Sequence, residues 1–325
     1  MAQLYIPNSV ALRNFDTIFK DNDFDFSGEK VSIRFHPKYV AMHPVGLAFY
    51  AAVGDLLKMK GIETDARIAH SIRSIPYLQR MGLFKALSYN DPLTIENHEE
   101  TGRFIPLTKI HNSTELEAFL KQVDPILHTT PNTSRVIKHV FSELLRNVIE
   151  HSGAPFGGNV CASYNKKRKK ISVGISDAGM GIREGMRGYK CFAKHLDAIC
   201  SALTPGISGT TKRIGGTAEN AGAGLFFTKC IAQTTRNHFV LYSGDSYFKL
   251  RADPLKEKIV FKADPQRDIS TMKESLPNFP GTVVGLDIHI EDDEAFNRLM
   301  DRIGDAYKLS VKKSKRDYHK RIKFT

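Results

Sequence analysis

The sequence predicts an α+β fold in which a small N-terminal module precedes a larger sandwich of helices on a mixed, largely antiparallel sheet. In the first part of the chain, apolar residues alternate as in a strand and then recur with helical spacing, twice over. From residue 132 onward, a long helix, a hairpin, a glycine-rich insert, a second helix and a strand meander follow one another. Hairpins and meanders, rather than strand–helix–strand crossovers, are typical of α+β sandwiches.

The N-terminal module is defined by two strands and two helices over a short span. The strands are expected at 30–36 and 63–70, and the helices at 45–59 and 75–87. We divide the chain into the N-terminal module at 1–90, a connector at 91–131, a larger domain at 132–291, and a C-terminal helix with a basic tail at 292–325. The connector is expected to pack on the larger domain and to contain a short helix at 114–123.

Composition favours a folded cytoplasmic protein. Apolar residues make up 41% of the chain, which is enough to bury hydrophobic cores. The four cysteines form no CxxC pair and no zinc-site spacing, so we expect reduced and mostly buried thiols. No stretch approaches the roughly 20 apolar residues of a membrane span, and no signal-peptide pattern opens the chain, so no membrane association is expected.

The net charge of +12 is concentrated in two short segments rather than spread over the chain. Residues 166–170 contribute five positive charges, and residues 308–325 contribute a net of seven, which together account for the whole excess. Such a turn and such a tail are usually solvated. They also leave open a contact of the tail with an acidic protein partner or with nucleic acid.

The first candidate functional element is a helix that begins near Asn132, Thr133 or Ser134, each of which could cap it. A broad apolar stripe repeats every four residues and includes Val136, Val140, Leu144 and Val148. The other face carries Glu143, Asn147 and Glu150, whose spacing aligns them along one line. An amide oxygen can bind Mg²⁺ and a nearby carboxylate can accept a proton from water, although this face could also be ordinary solvent-exposed surface.

The second candidate element is a β-hairpin at about 159–177 with a basic tip, whose second strand runs into Asp177-Ala-Gly-Met-Gly181. A carboxylate at a strand end, followed by two glycines, places a hydrogen-bond acceptor where a flat ligand can approach closely. An adenine amino group suits such an acceptor, and the same turn also occurs in ordinary loops.

The third candidate element is a glycine-rich segment between Pro205 and Gly224 that leads into a helix carrying Leu225 and Lys229. Backbone N–H groups at a helix start attract phosphates, and Lys212 and Arg213 could add positive charge. The segment lacks the spacing of a P-loop, and a glycine-rich surface loop is the simpler alternative.

Taken in order, these elements resemble the boxes of the GHKL (histidine-kinase-like, Bergerat-fold) ATPases. Glu143-Leu-Leu-Arg-Asn147 resembles the N box, Asp177-Ala-Gly-Met-Gly181 the first glycine box, and Gly222-Ala-Gly224-Leu225 with Lys229 the second. Gly281-Thr282-Val283 is similar to the terminal Gly-Thr strand, so the resemblance covers about residues 132–290.

The resemblance implies a role for each of these positions. Asn147 would hold Mg²⁺, Glu143 would be a general base, and Asp177 would accept from the adenine amino group of ATP. Gly179, Gly181 and Thr282 would support the adenine end; Gly222, Gly224, Leu225 and Lys229 would belong to the phosphate end; and residues 183–216 would form a mobile lid.

The N-terminal module resembles, more loosely, a STAS domain, the fold of anti-sigma-factor antagonists. The resemblance covers about residues 31–87. Where many antagonists carry a phosphorylatable Ser or Thr before a Gly, this chain reads His43-Pro-Val-Gly46, so the usual phosphorylation switch is not expected.

Three functions follow from these resemblances. The favoured one is a regulatory module gated by Mg-ATP, with slow hydrolysis at Glu143 and closure that the N-terminal module or a protein partner senses. The alternatives are a serine/threonine protein kinase like the anti-sigma-factor kinases and a DNA-associated ATPase. A histidine kinase is disfavoured because residues 91–131 are too short and too proline-rich for a dimerising helical hairpin.

Overall fold

The computed structural model describes most of the chain and all of the elements discussed below. The described residues are 2–22, 24, 26, 28–67, 74–89, 104–127, 131–209, 211, 222–235, 237–251, 260–289 and 293–322.

The described residues of the N-terminal module form two small parallel sheets, one 3₁₀ helix and three α-helices. Its elements, in chain order, are β1 (Ala2–Ile6), β2 (Ser9–Val10), a 3₁₀ helix (Leu12–Phe19), β3 (Lys30–Phe35), β4 (Ala41–Met42), α1 (Pro44–Met59), β5 (Glu63–Arg67), α2 (Ile75–Arg80) and α3 (Leu83–Ala86). The larger sheet has the order β1-β3-β5, and β2 pairs with β4.

The rest of the described chain forms one large sheet with helices. Its elements are β6 (Phe104–Ile110), α4 (Ser113–Leu127), α5 (Pro131–His151), β7 (Gly158–Asn165), β8 (Lys170–Asp177), α6 (Gly181–Gly185), α7 (His195–Ala202), α8 (Gly224–Thr234), β9 (Phe239–Gly244), β10 (Ser246–Leu250), β11 (Ser270–Lys273), β12 (Phe279–His289) and α9 (Asp293–Ile322). The sheet order is β11-β10-β9-β12-β8-β7-β6, and every pairing is antiparallel. The α+β class is therefore confirmed.

Strand β8 lies near the centre of this sheet and has two different faces. Ile171, Val173 and Ile175 belong to the core that the sheet shares with α4, α5 and α8. Asp177 continues this side of the strand at its end, because successive side chains alternate between faces. The intervening residues, Ser172, Gly174 and Ser176, face the N-terminal module, so the sheet is covered on both sides.

Helix α1 lies directly on the second face of the sheet because small residues leave room for its backbone. Cys161, Gly174 and Gly285 lie side by side on β7, β8 and β12. A Cβ atom on Gly174 would lie 2.1 Å from the carbonyl oxygen of Pro44. His43 caps the helix, since its Nδ1 accepts a hydrogen bond from the Val45 N–H at 3.0 Å.

Polar contacts fix the position of α1 along β8. The Ser176 hydroxyl donates to the Ala48 carbonyl at 2.6 Å. Near the first residue of the helix, His43 Nε2 lies 2.9 Å from the Asp287 carboxylate, which also binds Lys170 and Ser172. Burial opposes the ionised form of Asp287, but these three partners hold the pKa of its carboxyl well below the ordinary value. Because these partners are spread along the interface, they set the register of the helix on the sheet.

Aromatic rings complete this interface. Phe49 of α1 lies 6.2 Å from Tyr242 and 5.4 Å from Phe279, measured between ring centroids. Phe15 of the 3₁₀ helix also contacts Phe49 and Tyr242. One hydrophobic cluster therefore runs from the module into the large sheet without interruption. Among the helices that the structure describes, none is long and apolar enough to cross a membrane.

Several elements differ from the expectation. The single helix expected at 75–87 is two helices, because Gly82 adopts a left-handed conformation (φ 78°) between them. The segment expected to be a connector contributes an edge strand, β6, whose residues 104–110 pair with β7. The sequence pattern also predicts a strand at 258–262 as part of the meander, but 260–262, the part that the structure describes, is not a strand, and β11 is an unexpected strand. Residues 68–70 lie outside the described residues.

Two further expectations, an exposed hairpin tip and mostly buried free thiols, agree with the structure. The hairpin tip at 166–169 is exposed. All four cysteines are free thiols; Cys161, Cys200 and Cys230 are buried, and Cys191 is exposed. Burial raises the pKa of the Cys230 thiol to about 12, so that thiol stays protonated and unreactive at neutral pH.

The close approach of α1 to β8 makes Gly174 intolerant of a side chain. We expect Gly174→Ala to lower the free energy of unfolding by about 2 kcal/mol or more, because the new methyl group would meet backbone atoms of α1 rather than a flexible side chain. Urea unfolding measures this difference. The control is Gly304→Ala on α9, where a Cβ atom meets nothing within 4 Å and alanine favours the helix. Equal stability of the two variants would contradict the packing described here.

Candidate functional site

One cavity brings the predicted site residues together. It has a volume of about 290 Å³ and lies between α5, the end of β8, α6 and the start of α8. Eight of the ten predicted residues line it: Glu143, Asn147, Asp177, Gly181, Gly222, Gly224, Leu225 and Thr282. Residues that are about 140 positions apart in sequence thus form one site.

Helix α5 supplies Glu143 and Asn147 from one face. Both side chains are half-buried, and the opposite face of the helix packs into the core through residues such as Phe141 and Leu145. The predicted apolar stripe therefore explains why the polar residues face the cavity. A Cβ atom on Gly224 would lie 2.5 Å from the Glu143 carboxylate, so the start of α8 lies against that carboxylate. Helix α5 begins at Pro131, so the residues expected to cap it, 132–134, lie within its first turn and the expected caps are wrong.

Asp177 is the buried acceptor at the opposite end of the cavity. Its side chain is 2% exposed, and its Oδ1 accepts a hydrogen bond from the Gly179 N–H at 2.8 Å. Burial raises the pKa of this carboxyl from 3.8 to about 7, although hydrogen bonds from the backbone N–H groups of Gly179 and Thr282 favour the ionised form. A carboxylate has about four lone-pair sites, so the group can accept a further hydrogen bond from a ligand.

The turn after Asp177 needs glycine for steric reasons. A Cβ atom on Gly179 would lie 2.2 Å from the Ser152 carbonyl oxygen, and Gly181 has φ 74°. Gly181 lines the cavity, whereas Gly179 lies behind its wall and holds Asp177 through its N–H group. Thr282 is paired with Asp177 across β12 and β8, so both residues are fixed by the sheet.

The other end of the cavity is made by the glycines before α8. Gly222 has φ 65°, and a Cβ atom there would lie 2.4 Å from the Ile207 carbonyl oxygen. The Gly206 N–H donates to the Gly222 carbonyl at 3.1 Å, which ties the two ends of the insert together. Helix α8 begins at Gly224 with its N-terminus beside the cavity, and free N–H groups at such an end favour anions.

Part of the expected lid forms a wall of the cavity. Gly185, Met186, Ala202 and the stretch 207–209 line it. A Cβ atom on Gly209 would lie 2.4 Å from the Gly185 carbonyl oxygen, so this wall packs tightly against α6. Residues 210 and 212–221, including Lys212 and Arg213, lie outside the described residues.

Lys229 does not reach the cavity, so its expected place at the phosphate end is wrong. It is fully buried, and its Nζ lies 2.7 Å from the Asp268 carboxylate and 3.1 Å from the Lys262 carbonyl oxygen. Five positions after Gly224, a side chain lies well around the helix from the cavity face. The buried pair with Asp268, which also binds Gln233, connects α8 to the segment before β11.

Several lining residues were not identified from the sequence, among them one basic residue and two polar residues near the end of α5. Arg146, His151 and Ser152 all line the cavity. Arg146 is three positions after Glu143, a spacing that shares a helix face, and this spacing could have identified it. The Ser152 hydroxyl donates to the Val148 carbonyl at 2.7 Å and accepts from the Ala154 N–H at 3.1 Å, so it ends α5 rather than facing a ligand.

Acidic groups outnumber basic ones on the described wall of the cavity. Glu143, Glu150 and Asp177 are opposed there by Arg146, with His151 lying 3.9 Å from Glu150. The described residues contain no group of three or more His, Cys, Asp or Glu side chains arranged to hold a metal ion. A divalent cation at Asn147 would therefore take most of its ligands from a bound anion and from water.

Comparison with protein-family models finds no match to this chain, and none of the curated proteins matches it. The GHKL and STAS resemblances therefore remain expectations that rest on the residues themselves.

The buried Asp177 carboxyl should make stability depend on pH. Between about pH 4 and pH 7 the folded chain holds a proton there that the unfolded chain has lost, so the stability contributed by this group falls as pH rises. Asp177→Asn removes this titration. We expect its free energy of unfolding relative to wild type to increase by roughly 1 kcal/mol per pH unit between pH 5 and pH 7 and to level off above.

Urea unfolding of both proteins at several pH values tests this expectation. The matched control is Asp197→Asn, which also removes one carboxyl, but from an exposed position outside the cavity. We expect no comparable pH-dependent gain from it. A pH-independent difference between Asp177→Asn and wild type would refute the burial argument.

Proposed function

We propose that the cavity binds Mg-ATP and that the chain is a nucleotide-gated regulatory module of the GHKL type. The observation that carries the proposal is the convergence of an amide, two carboxylates and a glycine-flanked helix start on one cavity. These groups come from separate parts of the chain, and their chemistry matches the two ends of one ligand. Asp177 suits a base with an amino group, and the start of α8 suits phosphates.

The base end is set by the buried Asp177. At pH 8 its carboxyl is mostly ionised and accepts a hydrogen bond from the exocyclic amino group of adenine. Gly181, Ile182 and Met186 form the adjacent wall and leave space for a flat ring. Guanine has a carbonyl oxygen where adenine has its amino group. That oxygen and the carboxylate are both acceptors, so they would repel each other. The site therefore favours adenine.

The phosphate end is set by the start of α8 and by α5. The N–H groups near Gly224 and the positive end of the helix dipole would bind phosphate oxygens. The Asn147 amide oxygen would hold Mg²⁺, which would offset the negative charge of the phosphates beside Glu143 and Glu150. A single neutral protein ligand fits this ion, because Mg²⁺ usually keeps several waters and shares its remaining ligands with phosphates.

Glu143 is placed for proton transfer at this end. Its carboxylate lies against the start of α8, where the terminal phosphate would bind. As a water oxygen forms a bond to the terminal phosphorus and the bond to the leaving oxygen breaks, Glu143 would accept a proton from that water. The same position could deprotonate the hydroxyl of a Ser or Thr in a protein substrate, which keeps the kinase alternative open.

A regulatory role is supported by the way the site contacts the rest of the molecule. Ser176 lies on the cavity wall, next to Asp177, and its hydroxyl is bonded to α1 of the N-terminal module. On the opposite side, 183–209 supplies a wall that would close on the ligand. Nucleotide binding at Asp177 thus acts one residue away from the surface that holds the module.

The adenine contact predicts the effect of removing Asp177. At pH 8, Asp177→Ala should weaken ATP binding by roughly tenfold or more, because a hydrogen bond to a charged group contributes about 1.5–3 kcal/mol. Titration calorimetry with Mg²⁺ measures the affinity, with Asp197→Ala as the control outside the cavity. Unchanged affinity of Asp177→Ala would exclude the proposed contact, and the absence of binding by wild type would exclude the proposed function.

The role of Glu143 can be separated from binding. We expect Glu143→Gln to keep ATP affinity within a few-fold of wild type but to abolish phosphate release, since a neutral amide does not accept the proton. The matched control is Glu150→Gln, which changes the same kind of group two turns further along α5 and should retain turnover. Phosphate release by Glu143→Gln at the wild-type rate would refute the assignment of the general base.

A further inference from the structure

Helix α9 runs antiparallel to α8, from its C-terminal end toward its N-terminal end. The Thr235 hydroxyl, just after α8, lies 3.4 Å from the Asp287 carbonyl oxygen near the end of β12, and α9 begins only four residues after β12. Further along α9, the ring of Tyr307 lies 6.4 Å from Phe226 and 6.0 Å from Phe227, near the start of α8.

The second half of α9 therefore extends past the start of α8. The 15 residues from 308 to 322 span about 22 Å at the usual helical rise. At the end that they pass, Gly224 lies against Glu143, and both residues line the cavity.

This second half carries a cationic face, which we define as Lys308, Lys312, Lys313, Lys315 and Arg316. All five side chains are exposed. The opposite side of the helix holds Val311, which is buried, and Ser314, which is half-buried, so the helix is packed on the protein. None of the five cations forms an ion pair with another residue that the structure describes.

The helix dipole does not account for this face. Cations stabilise a helix mainly in its last turn, whereas Lys308 lies 14 residues before the end of α9. Acidic side chains such as Asp301 and Asp305 precede the cationic face, and none interrupts it between 308 and 316. The face is therefore a segregated positive surface about three turns long.

We propose that the cationic face binds the phosphate backbone of a nucleic-acid duplex. A backbone presents regularly spaced charges and needs no apolar contact, and nucleic-acid interfaces are correspondingly rich in Lys and Arg. A protein interface of this size would need apolar or aromatic anchors, and Leu309, 69% exposed, is the single apolar residue exposed among 308–316. A helix that lies in a membrane surface needs a free apolar face, whereas the apolar side of α9 is packed on the protein.

The basic hairpin tip provides a matched control, because it is a second exposed cationic cluster that does not belong to α9. The tip, 166–169, joins β7 to β8 at the end of β8 opposite Asp177, and it also carries an exposed cluster of cations. Four of its charges can be removed for comparison with four removed from α9. The proposal does not depend on nucleotide binding, so no nucleotide is needed in the test.

The experiment measures binding of a labelled 30-base-pair DNA duplex and of the RNA duplex of the same sequence by fluorescence anisotropy, across a series of salt concentrations. One variant combines Lys308→Gln, Lys312→Gln, Lys315→Gln and Arg316→Gln. The control variant combines Lys166→Gln, Lys167→Gln, Arg168→Gln and Lys169→Gln. We expect the α9 variant to bind at least roughly tenfold more weakly, with the salt slope reduced by about four, while the control stays within about threefold of wild type.

Circular dichroism and thermal unfolding show whether the exposed replacements leave the fold intact. Preference for the DNA or the RNA duplex identifies the source of the backbone, and binding of either supports the proposal. Equal losses of duplex affinity in the two variants would show that net charge alone attracts the duplex, and this result would overturn the proposal. Failure of wild type to bind either duplex at low salt would also overturn the proposal. Binding of polyglutamate or of anionic phospholipid vesicles as tightly as a duplex would overturn it as well.

Discussion

Strand β8 is held between two layers by alternate side chains, and the candidate site depends on that arrangement. Its odd-numbered residues from Ile171 to Ile175 enter the core beneath α5 and α8, and the same side ends in Asp177. Its even-numbered residues receive the backbone of α1, with Gly174 as the point of closest approach. A shift of one residue in register would exchange the two faces and place a carboxylate against α1. The docking of α1 therefore helps to fix where Asp177 lies.

This arrangement has an energetic cost at the site. Asp177 is buried at the end of a packed strand, and that burial raises the pKa of its carboxyl to about 7. The backbone N–H groups of Gly179 and Thr282 offset only part of the lost hydration. Groups whose pKa is shifted by burial occur often at functional sites, where a ligand can supply a further hydrogen bond. The cost thus agrees with a binding role.

The sequence predicted the elements of the site better than it predicted their surroundings. Glu143 and Asn147 share a helix face through local spacing alone, and the glycines after Asp177 follow from a turn that excludes side chains. Lys229 was misplaced because a helix start says nothing about which residues face its partner, and its pairing with Asp268 joins segments 39 positions apart. The packing of α1 on this face of the sheet was also not predicted, because Ser172, Gly174 and Ser176 have the pattern of a solvent-exposed face.

The packing of the N-terminal module restricts how nucleotide binding could be sensed. Because Phe15 and Phe49 share one hydrophobic cluster with Tyr242 and Phe279, release of the module would expose a large apolar surface. Sensing by detachment would therefore be costly. A small shift at the end of β8 is a cheaper route, because Ser176 directly precedes Asp177 in the strand and its hydroxyl is bonded to the Ala48 carbonyl. Packed interfaces respond to such shifts by small movements of whole helices, and α1, which is held along its length by β8, is the element in position to move.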